Sequence, residues 1–186
     1  MASLNVGKSE SVSWISKNFS KGSTCLDVGA CDGKWADLLN DYLIMDGIEI
    51  YAPNIGKHKL TGKYRKVHLG DIREFTYKHY DLIIFGDVLE HMSIEDARKV
   101  LDYAYPRCKN FIVAVPYQWV NRSHYGNPWE VHIQDDLTPE NVLERYPCLK
   151  PLFIYERYGY YIKNENIGLH RTKSYSNMLS GKQPID

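Results

Sequence analysis

Short apolar runs suited to buried strands recur along this chain of 186 residues, and helix-spaced patterns fill the intervals between them. The runs are Thr24-Cys-Leu-Asp-Val28, Gly47-Ile-Glu-Ile50, Lys66-Val-His-Leu69, Tyr80-Asp-Leu-Ile-Ile-Phe85 and Phe111-Ile-Val-Ala-Val115. The fourth and fifth are apolar at nearly every position, as strands covered on both faces must be. Between them, Val12, Ile15 and Phe19 recur at helical spacing, and Trp35, Leu38, Leu39 and Tyr42 fall at i, i+3, i+4 and i+7. Residues 52–60 form a weaker helical stretch broken by Pro53 and Gly56. Ser93 opens a helix with acids in its first turn, predicted to run to about Tyr105, and Thr138-Pro139 opens another. Residues 149–155 and 159–163 read as a closing antiparallel pair.

Alternation of this kind demands right-handed crossovers, hence an α/β fold: a Rossmann-like doubly wound sheet, mainly parallel with an antiparallel C-terminal strand. The length suits one domain rather than two. Residues 1–165 are therefore expected to form that domain, opened by an N-terminal helix, with 166–186 as a polar tail. Sheets of this class bind ligands beyond the carboxyl ends of their strands, so the residues following each run are the ones to inspect.

Four of those positions carry glycine, an acid or both. Asp27-Val-Gly29-Ala30-Cys31-Asp32-Gly33 follows the first strand, and Glu49 ends the second. Gly70-Asp71-Ile72 follows the third, and Gly86-Asp87-Val-Leu-Glu90-His91 the fourth. Glycine permits a sharp turn and close approach of backbone to ligand, and an acid about twenty residues past such a loop suits a ribose diol. Each piece alone is weak. Together, in order, they point to a nucleoside cofactor.

As a set these words resemble those of class I S-adenosylmethionine (SAM) dependent methyltransferases. Asp27–Gly33 is similar to the glycine-rich first motif of that family, Gly47-Ile-Glu49-Ile50 to its ribose-binding strand, and Gly70-Asp71-Ile72 to its adenine-contacting segment. Tyr80–His91 resembles the following motif of small-molecule members, while Ala114-Val-Pro116 and Leu137–Glu140 fall where the family has similar words. The resemblance covers roughly residues 24–145 and departs at Cys31, where many members have glycine. It implies SAM as cofactor and S-adenosylhomocysteine as product, with Gly29, Ala30 and Gly33 bordering the methionine part and Asp27 and Asp32 also in the cofactor site. Glu49 then holds the ribose, Ile50 and Ile72 flank adenine, Asp71 meets its amine, and Gly86 and Asp87 approach the methionine amine. NAD fits less well. Its G-x-G-x-x-G spacing is missing, and Asp32 would repel a pyrophosphate.

Two histidines stand where a base is useful, His91 after the fourth strand and His132 in the loop after the fifth. His132 is the preferred base, with Glu130 or Asp135 to orient it. The same loop carries Tyr117, Trp119, Tyr125 and Trp129, rings suited to stacking on a sugar or aromatic acceptor. Glu130, His132, Asp135 and Asp136 offer N/O ligands, but their spacing matches no metal motif, so no metal is expected. Short methyltransferases resembling this chain group with sugar-polymer enzymes, which implies a carbohydrate hydroxyl as acceptor. N- or carboxyl-methylation, and an inactive SAM-binding partner subunit, are the alternatives.

Composition trims the partners. Lys plus Arg and Asp plus Glu number 23 each, a balance that argues against a polyanion; no nucleic acid is expected, and a small molecule or glycan is. Residues 1–9 lack the apolar stretch of a secretion signal, and no window reaches a membrane span. With Cys25, Cys31, Cys108 and Cys148 scattered at no zinc spacing, the expectation is a cytoplasmic protein with reduced thiols.

Overall fold

The computed structural model describes residues 5–123 and 126–165. Seven strands, β1 (Thr24–Val28), β2 (Ile44–Glu49), β3 (Lys66–Leu69), β4 (Tyr80–Gly86), β5 (Cys108–Pro116), β6 (Leu149–Ile154) and β7 (Tyr158–Lys163), form one sheet in the order β3-β2-β1-β4-β5-β7-β6. All pairings among β1 to β5 are parallel, and β7 is antiparallel to both β5 and β6. The helices are α1 (Lys8–Asn18), α2 (Lys34–Leu39), α3 (Ala52–Lys57), α4 (Ile94–Ala104) and α5 (Pro139–Arg145).

Strand alternation splits the core into two layers, which is why the central strands are apolar throughout. Ile83 and Phe85 of β4 pack with Phe111 and Val113 of β5 against Ala97, Val100 and Leu101 of α4 and Val142 of α5. Leu82 and Ile84 face the other way, with Ile112 and Ala114, toward Ile15 of α1 and Trp35, Ala36 and Leu39 of α2. Burying side chains of this size stabilises by roughly 1.5–3 kcal/mol each before conformational entropy is counted. Replacing one by alanine leaves a cavity that closes only partly.

Helix ends follow local chemistry. Ser93 caps α4 by accepting from the Asp96 amide at 3.1 Å. Thr138 and Asn141 form a reciprocal capping box at α5, with Pro139 in its first turn. Helix α2 is shorter than its apolar spacing predicts. It stops at Leu39, leaving Leu38 exposed, because the turn at 40–42 feeds directly into β2. That strand in turn starts at Ile44, earlier than the run at Gly47 suggests.

Strand order reverses between β1 and β4: the chain steps outward through β2 and β3, then returns to the other side of β1. The crevice at that switch point lies beyond the carboxyl ends of β1 and β4. Among the described residues no helix is long and apolar enough to cross a membrane.

Candidate active site

A cleft open to solvent occupies this crevice. The loop after β1 forms one wall through three residues of positive φ, Gly29 (72°), Cys31 (45°) and Gly33 (78°). Glu49, at the end of β2, holds that loop. One carboxylate oxygen accepts from the Cys31 amide and the other from the Tyr51 amide, both at 2.7 Å. A carboxylate has further lone pairs, so these two bonds leave it able to accept from a ligand.

Gly29, Ala30, Asp32, Glu49, Ile50, Asp71, Ile72, Gly86 and Asp87 all line the cleft. Two other positions singled out in the glycine-rich motif do not. Asp27 lies beneath the loop, 1% exposed, and accepts from the Tyr64 hydroxyl at 2.5 Å. Burial pushes its carboxyl up to about 7, against the pull of Tyr64 and Lys8. Gly33 turns the chain into α2, where an added Cβ would sit 2.5 Å from the Lys63 side chain. Asp71 lines the cleft while gripped by Arg73, whose Nε donates to both of its oxygens at 2.8 and 3.0 Å.

At the end of β4 the backbone of Asp87 adopts φ +56°, and its carboxylate accepts from the Tyr158 hydroxyl at 2.5 Å. Next to it is a pair of buried donors that the motifs give no hint of. Trp35 lines the cleft with an indole N–H that has no hydrogen-bond partner, and the Lys8 ammonium stands 4.0 Å over its ring, buried and equally unsatisfied. Gly86 is what lets the indole come so close, since a Cβ there would lie 2.7 Å from Nε1. Burial pulls the Lys8 pKa down to about 8, while Asp87 and Asp27 favour its charged form.

The far part of the cleft is built where the loop after β5 folds back on the turn Leu89–His91. The Ile133 and Gln134 amides donate to the Glu90 carbonyl at 2.8 and 3.0 Å. The Gln134 side chain donates to the Leu89 and Met92 carbonyls and accepts from the Tyr146 hydroxyl. This knot brings His132 to His91, rings 4.8 Å apart and nearly perpendicular. Each Nδ1 meets a backbone carbonyl, that of Val131 at 3.0 Å for His91 and that of Trp119 at 2.8 Å for His132. A carbonyl only accepts, so each Nδ1 carries the proton and each Nε2 keeps its lone pair. Burial lowers both histidine pKa values and holds the rings neutral near pH 7. The His132 ring is thus oriented through Nδ1 by the Trp119 carbonyl.

Close to the two imidazoles lies Glu90, fully buried, with neither carboxylate oxygen hydrogen-bonded. Burial, together with the nearby charge of Asp87, raises its pKa well above the usual range. The grouping of Glu130, His132, Asp135 and Asp136 does not form. Asp135 is drawn to Arg122, and Asp136 to Arg145 at 2.5 Å. Trp119, Trp129 and Glu130 line the cleft with His91 and His132. Tyr117 does not: it is buried, with its hydroxyl 2.5 Å from that of Tyr161. Tyr125 and the tail at 166–186 lie outside the described residues.

No protein-family profile matches the chain, and no curated protein matches it in sequence. Solved structures do match. Magnesium protoporphyrin IX methyltransferase of Synechocystis PCC 6803, with bound S-adenosylhomocysteine, superposes with TM-score 0.60 at 14% identity, over 84% of this chain and 81% of that one. An S-adenosylmethionine-dependent methyltransferase of Clostridium acetobutylicum ATCC 824 gives 0.63 at 10% identity, over 82% and 87%. The N-methyltransferase NodS of Bradyrhizobium japonicum WM9 gives 0.56 at 14%, over 84% and 94%. The chain therefore has the class I methyltransferase fold, with the antiparallel C-terminal strand that the sequence pattern predicts; the structure sets that strand, β7, between β5 and β6.

Proposed function

We propose that the cleft binds SAM and that the chain transfers its methyl group to a hydroxyl of a sugar or another small hydroxylated molecule. One observation carries the cofactor half: the two unsatisfied donors, Lys8 Nζ and Trp35 Nε1, beside the Asp87 carboxylate. Buried polar groups without partners are costly, and this set has the polarity of a free amino acid reversed. A ligand's carboxylate satisfies the lysine and the indole, and its ammonium pairs in charge with the Asp87 carboxylate. The rest of the cleft suits the same ligand. Glu49 is available to a ribose diol, Ile50 and Ile72 offer apolar faces to adenine, and Asp71 offers an acceptor to its amine. The acids that line the cleft favour a cationic sulfonium and disfavour a dinucleotide pyrophosphate.

Bound there, SAM supplies a methyl group already activated on a positively charged sulfur, so most of the task left to the protein is alignment. A hydroxyl acceptor must also lose a proton, and His132 is the residue proposed to take it, through the Nε2 lone pair that the Trp119 carbonyl exposes. Trp119 and Trp129 provide rings on which a sugar face stacks. The methyltransferases that share the fold act on unlike acceptors, so the choice of a hydroxyl rests on this chemistry.

Calorimetry with S-adenosylhomocysteine and with NAD tests the cofactor, and turnover of SAM over a panel of hydroxylated sugars, with amines as controls, tests the acceptor. The expected result is binding of the first nucleoside alone and a methyl ether product located by NMR. Heat only with the dinucleotide overturns the cofactor assignment, and methylation confined to amines overturns the acceptor.

A further inference from the structure

We propose that Glu90, His91 and His132 bind a divalent transition-metal ion whose open coordination positions take the acceptor's hydroxyl. One ligand atom from each residue lies within 4.8 Å of the other two, close enough for modest side-chain adjustments to enclose an ion. The two residues from the end of β4 and the one from the loop after β5 are held together by backbone. The Glu90 carbonyl itself accepts the Ile133 and Gln134 amides that directly follow His132.

Two independent features single out a metal. First, the hydrogen bonds of both imidazoles are those of metal ligands. Nδ1–H donates to a main-chain carbonyl, Val131 for His91 and Trp119 for His132, which fixes the tautomer with Nε2 unprotonated. Second, Glu90 is 0% exposed and both of its oxygens are without hydrogen-bond partners, in the neighbourhood of Asp87 and Glu130. No ion pair among the described residues offsets the burial of that carboxylate. A cation does so directly. Two nitrogens and one oxygen suit Fe²⁺, Co²⁺, Ni²⁺ or Zn²⁺ better than Ca²⁺ or Mg²⁺, which prefer oxygen alone. Three protein ligands leave positions free, and all three residues line the same cleft as Trp119 and Trp129.

The coordination itself needs no assumption about catalysis, whereas the role assigned to the open positions rests on the hydroxyl-acceptor reading. A lone pair given to a metal cannot also take a proton. When the ion is bound, His132 is therefore a ligand, and the ion acidifies the hydroxyl in its place. The coordinated hydroxyl releases its proton to solvent and its oxygen forms the new O–C bond. The S–C bond breaks with its electron pair returning to sulfur.

The test uses the full chain, stripped with a chelator and titrated with Co²⁺ alone. Visible absorption and metal analysis after dialysis are the readouts, with circular dichroism and thermal unfolding as controls for folding and S-adenosylhomocysteine binding measured separately. One cobalt per chain, with the ligand-field bands of a nitrogen-containing site, is expected. Glu90→Gln and His132→Ala, both folded by these controls, should each weaken uptake about a hundredfold. Absence of stoichiometric cobalt from the wild-type protein overturns the site, as does uptake undiminished in both variants. Cobalt bound as expected in a chain that fails to bind S-adenosylhomocysteine supports the metal site and removes the cofactor reading, so the two failures are distinct.

Discussion

The Tyr158 hydroxyl donates to the Asp87 carboxylate at 2.5 Å, tying the antiparallel β7 to the carboxyl end of β4. Asp87 sits at φ +56°, a conformation that non-glycine residues rarely adopt, and the tyrosine is part of what holds its carboxylate in place there. Tyr158→Phe keeps the ring in its buried layer with Tyr160 and deletes only the donor. Hydrogen bonds to charged groups contribute about 1.5–3 kcal/mol, so the dissociation constant for S-adenosylhomocysteine should rise about tenfold or more. Calorimetry on a folded variant decides it: an unaltered constant means that the Tyr158 hydroxyl does not position Asp87 for the ligand.

Lys8 gives a sharper test of which end of the ligand lies nearby. Lys8→Met retains the aliphatic stem against Trp35 and removes the buried charge. Binding of S-adenosylhomocysteine should weaken about tenfold by loss of a charge-assisted hydrogen bond. Binding of methylthioadenosine, which lacks the amino-acid end, should change less than about twofold. Equal losses for both ligands would mean that Lys8 acts on the fold and not on a carboxylate.

The contrast between Glu49 and Lys8 marks what a sequence exposes and what it hides. Glu49 is legible because its place is set by the chain itself: an acid ending a strand, a fixed distance after a glycine turn. The same holds for Asp71 and Asp87, and for the strand alternation that dictates the sheet. Lys8 acquires its meaning only when α1 packs over Trp35, and nothing in its local pattern differs from a solvated first-turn lysine. Glu90 sat inside a recognised word, yet its burial depends on Gln134 drawing the later loop onto the turn at 89–91. Tyr117 shows the converse. Adjacent to a ligand-facing loop in sequence, it turns inward because Gly159 leaves room for its hydroxyl.

His132→Ala should lower turnover about a hundredfold while S-adenosylhomocysteine still binds, whether the imidazole takes the proton or holds an ion. Steady-state kinetics beside calorimetry checks this, and turnover within about twofold of wild type would dismiss both roles. The cobalt titration above then separates them, since only a ligand role also removes metal.

Asp27 should make the fold less stable as pH rises. Burial first, and the charges of Asp32 and Glu49 after it, push its carboxyl up to about 7 in the folded chain, while Tyr64 and Lys8 pull the other way. An unfolded aspartate releases its proton near pH 4. Between those values the folded form binds the extra proton, so the contribution is fully present below about pH 4 and lost by about pH 7. Asp27→Asn leaves an amide oxygen for the Tyr64 hydroxyl and abolishes the titration. Urea unfolding should therefore show the variant gaining on wild type by about 2–3 kcal/mol more at pH 8 than at pH 5. A constant difference across that range would mean that Asp27 is ionised throughout.

Gly159 and Tyr117 test the inward placement of the latter. A Cβ at 159 would lie 1.8 Å from the Tyr117 hydroxyl and 2.8 Å from the Tyr161 ring, and both tyrosines are buried and bonded to each other. Nothing there is a flexible end free to swing away, so Gly159→Ala should destabilise by about 2 kcal/mol or more. Tyr117→Phe removes the clashing oxygen at the cost of the Tyr161 contact, about 1 kcal/mol. The double variant should then be clearly more stable than the sum of the two single losses predicts, because the second change relieves the strain created by the first. Strict additivity by urea denaturation would place the Tyr117 hydroxyl elsewhere and return its ring to the candidates for acceptor binding.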